Sequence, residues 1–339
     1  MSNLDNINLQ IMKNKINFYD GNLNIFKEKY KDNQIFYIII SRFKKYIDYI
    51  NKLLEQACIT TNIEIKKDLL DTANKMMCSN INDLYLIMPN LLVTGDNKLH
   101  HILDSISSKL KKILNIKTDV IILDGNDFIS TPFFTAKYTK PPLDTMYVII
   151  INSSLDVLGI PQIAHEFEHI HMGEHYDVYK KLFKDIQNIF SCYHLKYDVG
   201  KIEELTCDFF AAHAFGVSFA YSYILSFNYT FNGPDSSHFD DYFRIKFVMC
   251  FLNESNNTFI NNFMANFENQ SQDYKQYYNI MDKLIITYRN FFEKNFSELK
   301  MLEKENGILQ SSFKKLFDSK NNLKFSDIIN YVKNLINME

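Results

Sequence analysis

The feature that most constrains this chain is the run His165–His169, which reads H-E-F-E-H and matches the H-E-x-x-H pattern. Its two histidines are four positions apart, so on an α-helix their imidazoles share one face and can reach one metal ion. Apolar residues surround the run over 163–170, which favours a buried helix over a solvated one. Zinc accepts neutral imidazoles and keeps a position open for water in catalytic sites. The pattern therefore predicts zinc held by His165 and His169, with Glu166 as general base.

The segment before this run predicts a small sheet. Residues 120–123 and 146–151 are short runs rich in β-branched residues, and a turn signal over 124–126 ends the first. Three prolines in 129–144 predict a loop between the two strands. Pro161 then suits the first turn of the helix that carries the pattern.

Helical periodicity dominates the rest of the chain. Residues 1–20 are polar and predicted to be loose, whereas apolar spacing of three and four predicts helices near 22–57, 64–90 and 97–115. Further helices are predicted over 202–226, 238–252 and 272–335, the last with a break around 318–322. We therefore predict an α+β, predominantly helical fold with a small sheet preceding the H-E-x-x-H helix. Its predicted regions are an N-terminal helical region (1–116), a catalytic core (117–265) and a C-terminal helical region (266–339).

A catalytic zinc ion takes three protein ligands, and two residues compete for the third position. Glu204 is followed four residues later by Asp208, so one helix face presents a ligand and a carboxylate that accepts the second N–H of a ligand histidine. His175 lies ten residues after His165, the spacing of H-E-x-x-H-x-x-G-x-x-H, but Met172 holds the position where that longer motif requires glycine. We therefore favour Glu204 over His175.

Composition narrows the classes of partner and the compartment. A formal net charge of -3 gives no reason to expect a nucleic-acid partner. The five cysteines are scattered, form no CxxC pair and predict reduced thiols in a cytoplasmic protein. The N-terminus has no secretory signal pattern, and the longest apolar stretches, near 36–40 and 214–231, are too short or too broken for a membrane span.

The H-E-x-x-H run followed by Glu204-x-x-x-Asp208 resembles the gluzincin zinc metallopeptidases, especially the HtpX-like and CAAX-prenyl-protease-like group. The match covers roughly residues 118–250. Three further segments are similar to that group: its Asn-x-Phe segment, its substrate-aligning edge strand and its His-Pro…Arg-Ile segment correspond here to Asn126-Asp127-Phe128, Met146–Asn152 and His238–Ile245. Phe239 stands where the group usually has proline, and the group's membrane helices are absent, so its roles on membrane substrates are not carried over. The ImmA/IrrE-type soluble peptidases share the arrangement of motif and acidic helix.

The resemblance implies a zincin-like core, a zinc cofactor and specific roles for several residues. Its metal ligands would be His165, His169 and Glu204. His238 would be a catalytic residue that stabilises the oxyanion, and Arg244 would pair with a carboxylate to brace the site. The strand at 146–151 would align an extended substrate by β-augmentation.

The function predicted from these features is zinc-dependent endopeptidase activity on an intracellular protein or peptide substrate. One alternative is a catalytically silent zinc-binding regulatory or interaction protein on a peptidase fold, against which the intact Glu166 weighs. The other is a helical interaction protein with a structural metal or none. The substrate specificity and the oligomeric state are left open by the sequence.

Overall fold

The computed structural model describes residues 3–29, 31, 34–77, 98–125, 129–133, 146–152, 159–226, 233–234, 238–265, 267–302, 307 and 309–311. Over these residues the chain is predominantly helical, as predicted. It divides into two compact units, one of Met1–Asp96, Thr118–Asp124 and Thr131–Val148, the other of Asn97–Lys117, Gly125–Ser130 and Ile149–Glu339. The division into three regions at 1–116, 117–265 and 266–339 stays a prediction.

The described residues of the first unit form three helices: α1 (Asn3–Lys29), α2 (Gln34–Ile59) and α3 (63–77). The prediction that residues 1–20 are loose is wrong, because Leu9, Met12 and Ile16 recur at helical spacing and are buried. Helices α1 and α2 pack against each other. In the same unit the Tyr46 hydroxyl, itself buried, donates a hydrogen bond to the Met76 carbonyl at 2.9 Å.

A three-stranded sheet contains β1 (Asp119–Gly125), β2 (Ile129–Phe133) and β3 (Met146–Asn152) in the order β1-β3-β2. The strands predicted at 120–123 and 146–151 are confirmed as β1 and β3. The loop predicted over 129–144 is wrong at its start, where β2 forms. Strand β2 tolerates Pro132 because, in the part of the sheet that the structure describes, it has a neighbour on one side alone.

The sheet order also corrects the expectation for the strand at 146–151. Strand β3 is central and pairs with β1 on one side and β2 on the other. Its backbone N–H and C=O groups therefore serve two ladders, and the edge that β-augmentation requires is not on this strand. The residues Asn126-Asp127-Phe128, expected to resemble the family's Asn-x-Phe segment, lie outside the described residues.

The second unit is built from helices α4 to α12 and two short 3₁₀ turns. Their bounds are α4 Lys98–Ile113, α5 Ile160–Glu174, α6 Tyr176–Cys192, α7 Val199–Phe215, α8 Val217–Ser226, α9 Asp241–Phe251, α10 Thr258–Met264, α11 Gln272–Tyr277 and α12 Met281–Asn295, with 3₁₀ turns at Tyr278–Ile280 and Ser297–Leu302. The helix predicted over 202–226 is two helices, because Gly216 takes φ 56° and ends α7. The predicted break at 318–322 lies outside the described residues.

Helices α5 and α7 form the centre of this unit and pack closely along their length. Side chains cap the N-termini of α7 and α9. The Asp198 carboxylate accepts a hydrogen bond from the Lys201 N–H, and the Asp240 carboxylate accepts one from the Phe243 N–H. Behind α7 lies a cluster of buried aromatic rings contributed by α7, α9, α12 and the residue after α12: Phe209, Phe210, Phe247, Phe251, Tyr288, Phe292 and Phe296. Each such ring contributes about 1.5–3 kcal/mol on burial, so the cluster holds α7 firmly in place. Among the described helices, none is long and apolar enough to cross a membrane.

Candidate metal centre

Helix α5 places the H-E-x-x-H residues where the sequence predicts them. Pro161 lies in the first turn of the helix, and the helix is buried on most of its surface. His165 and Glu166 are almost fully buried, whereas His169 retains 27% side-chain exposure. The two imidazole rings lie edge to face, with centroids 5.0 Å apart. Helix α5 therefore presents a pair of imidazoles of which one is closer to solvent.

Helix α7 brings Glu204 to both of these histidines. Glu204 Oε2 lies 3.3 Å from His165 Nε2, and Glu204 Oε1 lies 3.2 Å from His169 Nε2. Both imidazoles thus turn the same nitrogen toward one carboxylate. Two nitrogens and a carboxylate oxygen converging in this way are the donor set of a His₂Glu zinc site. Glu204 therefore lies within 3.3 Å of both histidines of the motif.

His175, the rival candidate for the third ligand, lies away from this carboxylate. It is the residue immediately after α5, and its Nε2 is 3.2 Å from the Asn115 carbonyl oxygen. Met172, which replaces the glycine of the longer motif, is buried and continues the helix. Because the helix does not turn back at that position, the His175 ring packs beside His171 instead, with centroids 4.8 Å apart.

Asp208 and Arg244 form a buried ion pair next to His165. Arg244 Nε donates to Asp208 Oδ2 at 2.6 Å, and Arg244 Nη2 donates to Asp208 Oδ1 at 2.7 Å. The same Oδ1 lies 3.0 Å from His165 Nδ1. Burial opposes ionisation of the Asp208 carboxyl, but the Arg244 guanidinium holds its pKa below its usual range. Arg244 is therefore paired with a carboxylate, and this pair meets a histidine of the motif.

His238 approaches the Glu204 carboxylate from the solvent side. Its Nε2 lies 3.3 Å from Glu204 Oε2, and its side chain is 38% exposed. The segment that carries it is anchored at Asp240, whose carboxylate accepts from the Ser271 hydroxyl at 2.8 Å. Asp273 in turn accepts from the Asp240 N–H at 2.8 Å. The predicted catalytic histidine is thus held near the motif by a buried polar network.

The charges of this cluster change the acidity of its members in opposite directions. Burial favours the neutral form of His165, but the carboxylates of Asp208 and Glu204 raise its pKa to about 10. Burial likewise favours a neutral Glu204, but the imidazoles of His165, His169 and His238 hold its pKa well below the usual range.

Sequence reasoning missed Cys207, which lies between Glu204 and Asp208 on α7. Its side chain is fully buried, and one ligand atom from each of Cys207, His165 and His169 lie within 4.8 Å of one another. Burial raises the pKa of the Cys207 thiol well above its usual range, and nearby carboxylates add to this effect. The position three residues after Glu204, on the same helix face, was the signal in the sequence that could have identified it.

Glu168, which occupies a variable position of the motif, belongs to a second buried polar network that includes Tyr179 and His171. Its side chain is fully buried, and its Oε1 accepts a hydrogen bond from the Tyr179 hydroxyl at 2.6 Å. His171 Nδ1 also contacts that hydroxyl and lies 3.5 Å from Glu168 Oε2. These contacts join α5 to α6, so they fix the helix that carries the two imidazoles. The apolar flanks of the motif predicted the burial of this helix but not the partners of Glu168.

The residues present fit a zinc ion by their chemistry, because the Nε2 atoms of His165 and His169 face the Glu204 carboxylate. His165 Nδ1 is buried and lies 3.0 Å from Asp208 Oδ1, although the two atoms do not meet the geometry of a hydrogen bond. Metal-bound histidines usually donate their second N–H to a carboxylate, and Asp208 lies in that position. His165, His169 and Glu204 are therefore the residues that could hold the ion.

Comparison of the chain with models of known families, with curated proteins and with solved structures found no match. Arguments about what the centre does consequently rest on its own geometry and chemistry.

Proposed function

We propose that this protein is a zinc-dependent endopeptidase of the gluzincin type, with a zincin-like core in which helices α5 and α7 carry the metal ligands. One observation carries the proposal: the Nε2 atoms of His165 and His169 lie 3.3 and 3.2 Å from the oxygens of the single carboxylate of Glu204. A helix with two imidazoles four residues apart, facing a glutamate on a second helix, has the donor set that catalytic zinc uses.

In this proposal His165, His169 and Glu204 hold zinc, and Asp208 orients His165. Bound zinc would supply Lewis-acid polarisation of the scissile carbonyl and a lowered pKa for water. The Arg244 guanidinium keeps Asp208 ionised and fixed by two hydrogen bonds, so that Asp208 is ready to accept the His165 Nδ1 proton.

Glu166 supplies the acid–base chemistry. It follows His165 directly on α5, and its side chain is almost fully buried. Its carboxylate takes a proton from the attacking water and delivers that proton to the leaving amine nitrogen, which completes cleavage of the C–N bond. His238, partly exposed and 3.3 Å from Glu204 Oε2, donates an N–H to the oxyanion that forms at the carbonyl.

The substrate class follows from the reaction, and the compartment from the cysteines. A centre of this kind hydrolyses amides, so the partner is a protein or peptide. Cys58, Cys192, Cys207 and Cys250 are free thiols, which is consistent with a reducing compartment and hence with work in the cytoplasm.

The test of the proposal separates the base from the ligands. Glu166→Gln should keep full zinc content and lower peptide hydrolysis by about 10²–10⁴-fold, because the amide cannot accept the proton from water. Glu203→Gln is the matched control: Glu203 is a half-buried acid on α7 next to the site and has no assigned role, so its variant should cleave as the wild type does. Comparing the new peptide termini that each protein generates in a cell extract would also reveal substrates.

Undiminished turnover by Glu166→Gln would contradict the mechanism. Zinc in the wild type without any cleavage that depends on Glu166 would instead favour the catalytically silent zinc-binding protein.

A further inference from the structure

Cys207 lies beside the centre, and the proposed mechanism gives it no role. It lies on α7 three residues after Glu204 and one before Asp208, both of which meet the histidines of α5. Its side chain is fully buried, and its closeness to the histidines places it on the face of α7 that meets α5. Its sulfur and one ring nitrogen from each of His165 and His169 lie within 4.8 Å of one another.

We propose that Cys207 is a fourth protein ligand of the metal, so that the resting centre is a His₂GluCys site. This inference rests on the proposed zinc centre. Cysteine sulfur binds zinc at about 2.3 Å and imidazole nitrogen at about 2.0–2.1 Å, so donor atoms already this close need small side-chain adjustments to share one ion. Sulfur also favours zinc and other thiophilic ions over magnesium or calcium.

Charge balance supports a thiolate at this position. The Asp208 carboxylate is neutralised by Arg244 through two hydrogen bonds. A divalent cation bound by Glu204 alone among the anionic ligands would retain one positive charge in a buried site, and a buried charge is costly unless it is paired. When Cys207 binds, its S–H bond breaks, a sulfur–metal bond forms and the proton leaves to solvent. Glu204 and Cys207 together then balance both charges of the ion.

Coordination by Cys207 has a consequence for the proposed reaction. Four protein donors complete a tetrahedral zinc site, whereas a catalytic site keeps one position for water. The centre held by Cys207 would thus be a resting form, and hydrolysis would require Cys207 to make room for water at the ion.

The test is spectroscopic and uses cobalt(II), added to the metal-free full-length protein under reducing conditions. Cobalt bound by a thiolate shows a sulfur-to-metal charge-transfer band in the near ultraviolet, in addition to its visible d–d bands. We expect both features in the wild type. Cys207→Ala should lose the charge-transfer band and keep the d–d bands, because His165, His169 and Glu204 remain. The control Cys192→Ser, which removes an exposed thiol at the end of α6, should keep both.

A second measurement needs no variant. X-ray absorption of the zinc-loaded wild type should show one sulfur neighbour at about 2.3 Å together with nitrogen and oxygen neighbours. Bound metal with nitrogen and oxygen neighbours alone, or a charge-transfer band that survives in Cys207→Ala, would overturn the inference and leave the proposed function intact. A wild type that binds neither cobalt nor zinc would overturn both.

Discussion

The Arg244 guanidinium donates two hydrogen bonds to the Asp208 carboxylate, one from Nε to Oδ2 at 2.6 Å and one from Nη2 to Oδ1 at 2.7 Å. Both side chains are almost fully buried, and Asp208 Oδ1 also lies 3.0 Å from His165 Nδ1. A helix outside the H-E-x-x-H motif therefore controls the position of a motif histidine through one carboxylate.

Arg244→Met should destabilise the metal-free protein by about 3–5 kcal/mol, because it leaves the Asp208 carboxylate buried without its partner. Zinc affinity should fall by about 10–100-fold, because Asp208 no longer orients His165. Chemical denaturation and zinc titration against a competing chelator measure the two effects.

Arg289→Met is the matched control for this change. Arg289 donates to the backbone carbonyls of Cys250 and Phe251 at 2.8 and 2.9 Å, away from the histidines. Its loss should lower stability and leave zinc affinity unchanged. If Arg244→Met folds poorly, Arg244→Lys keeps the charge without the planar fork and should show an intermediate affinity. Equal zinc affinity in the Arg244 variants and the wild type would contradict the role given to the pair.

Gly216 and Gly173 should respond oppositely to alanine. Gly216, between α7 and α8, has φ 56° and ψ -143°, a conformation that side chains with a Cβ rarely adopt. Gly216→Ala should cost about 1–3 kcal/mol of unfolding free energy. Gly173 is exposed within α5, so Gly173→Ala should add about 0.5–1 kcal/mol through a better helix propensity. Thermal or chemical unfolding distinguishes them, and similar shifts of the same sign would be inconsistent with the backbone described for Gly216.

His213 should make stability depend on pH. It lies on α7 with its ring stacked on Phe292 at 5.8 Å between centroids. Burial lowers the pKa of His213 below its usual value, despite the backbone of Phe296 and the charge of Glu293, which raise it. The unfolded chain therefore binds a proton more readily than the folded protein. The associated stability is fully present above about pH 6.5 and is lost as pH falls through the lower pKa of the folded state.

Replacing His213 should accordingly flatten this part of the curve. The free energy of unfolding should vary less with pH in His213→Phe than in the wild type. Denaturant titrations between roughly pH 5 and pH 7.5, the range in which histidine titrates, measure this difference. His194→Asn is the control, because His194 is exposed and its φ of 55° is tolerated by asparagine. A wild-type slope retained in His213→Phe would contradict the assignment.

The sequence was informative where one short pattern determines geometry. Four-residue spacing on a helix sufficed to bring His165 beside His169 and Glu204 beside Asp208, and the missing glycine at Met172 correctly argued against His175 as a neighbour of Glu204. These relations are local, because a helix of fixed pitch leaves a residue few directions to face.

Relations between segments were harder to predict. The run Met146–Asn152 reads as a strand, but its central place depends on β2, a strand with a proline that sequence rules assign to a loop. The prediction of a loose N-terminus was wrong because the apolar residues of α1 are few, and the packing of α1 on α2 buries them. The three-residue spacing puts Cys207 on the same helix face as Glu204, but its closeness to the histidines depends on how α7 packs on α5, which periodicity along one helix does not give.

The most direct test of the central claim is the zinc content of the purified protein, measured by elemental analysis after dialysis. The account predicts close to one zinc per chain in the wild type and in His175→Ala, whose ring contacts Asn115 instead of Glu204. It predicts loss of the ion in His165→Ala, His169→Ala and their double variant, and sharply weaker retention in Glu204→Ala. Full zinc occupancy in the folded His165/His169 double variant, or its loss in His175→Ala alone, would contradict the account.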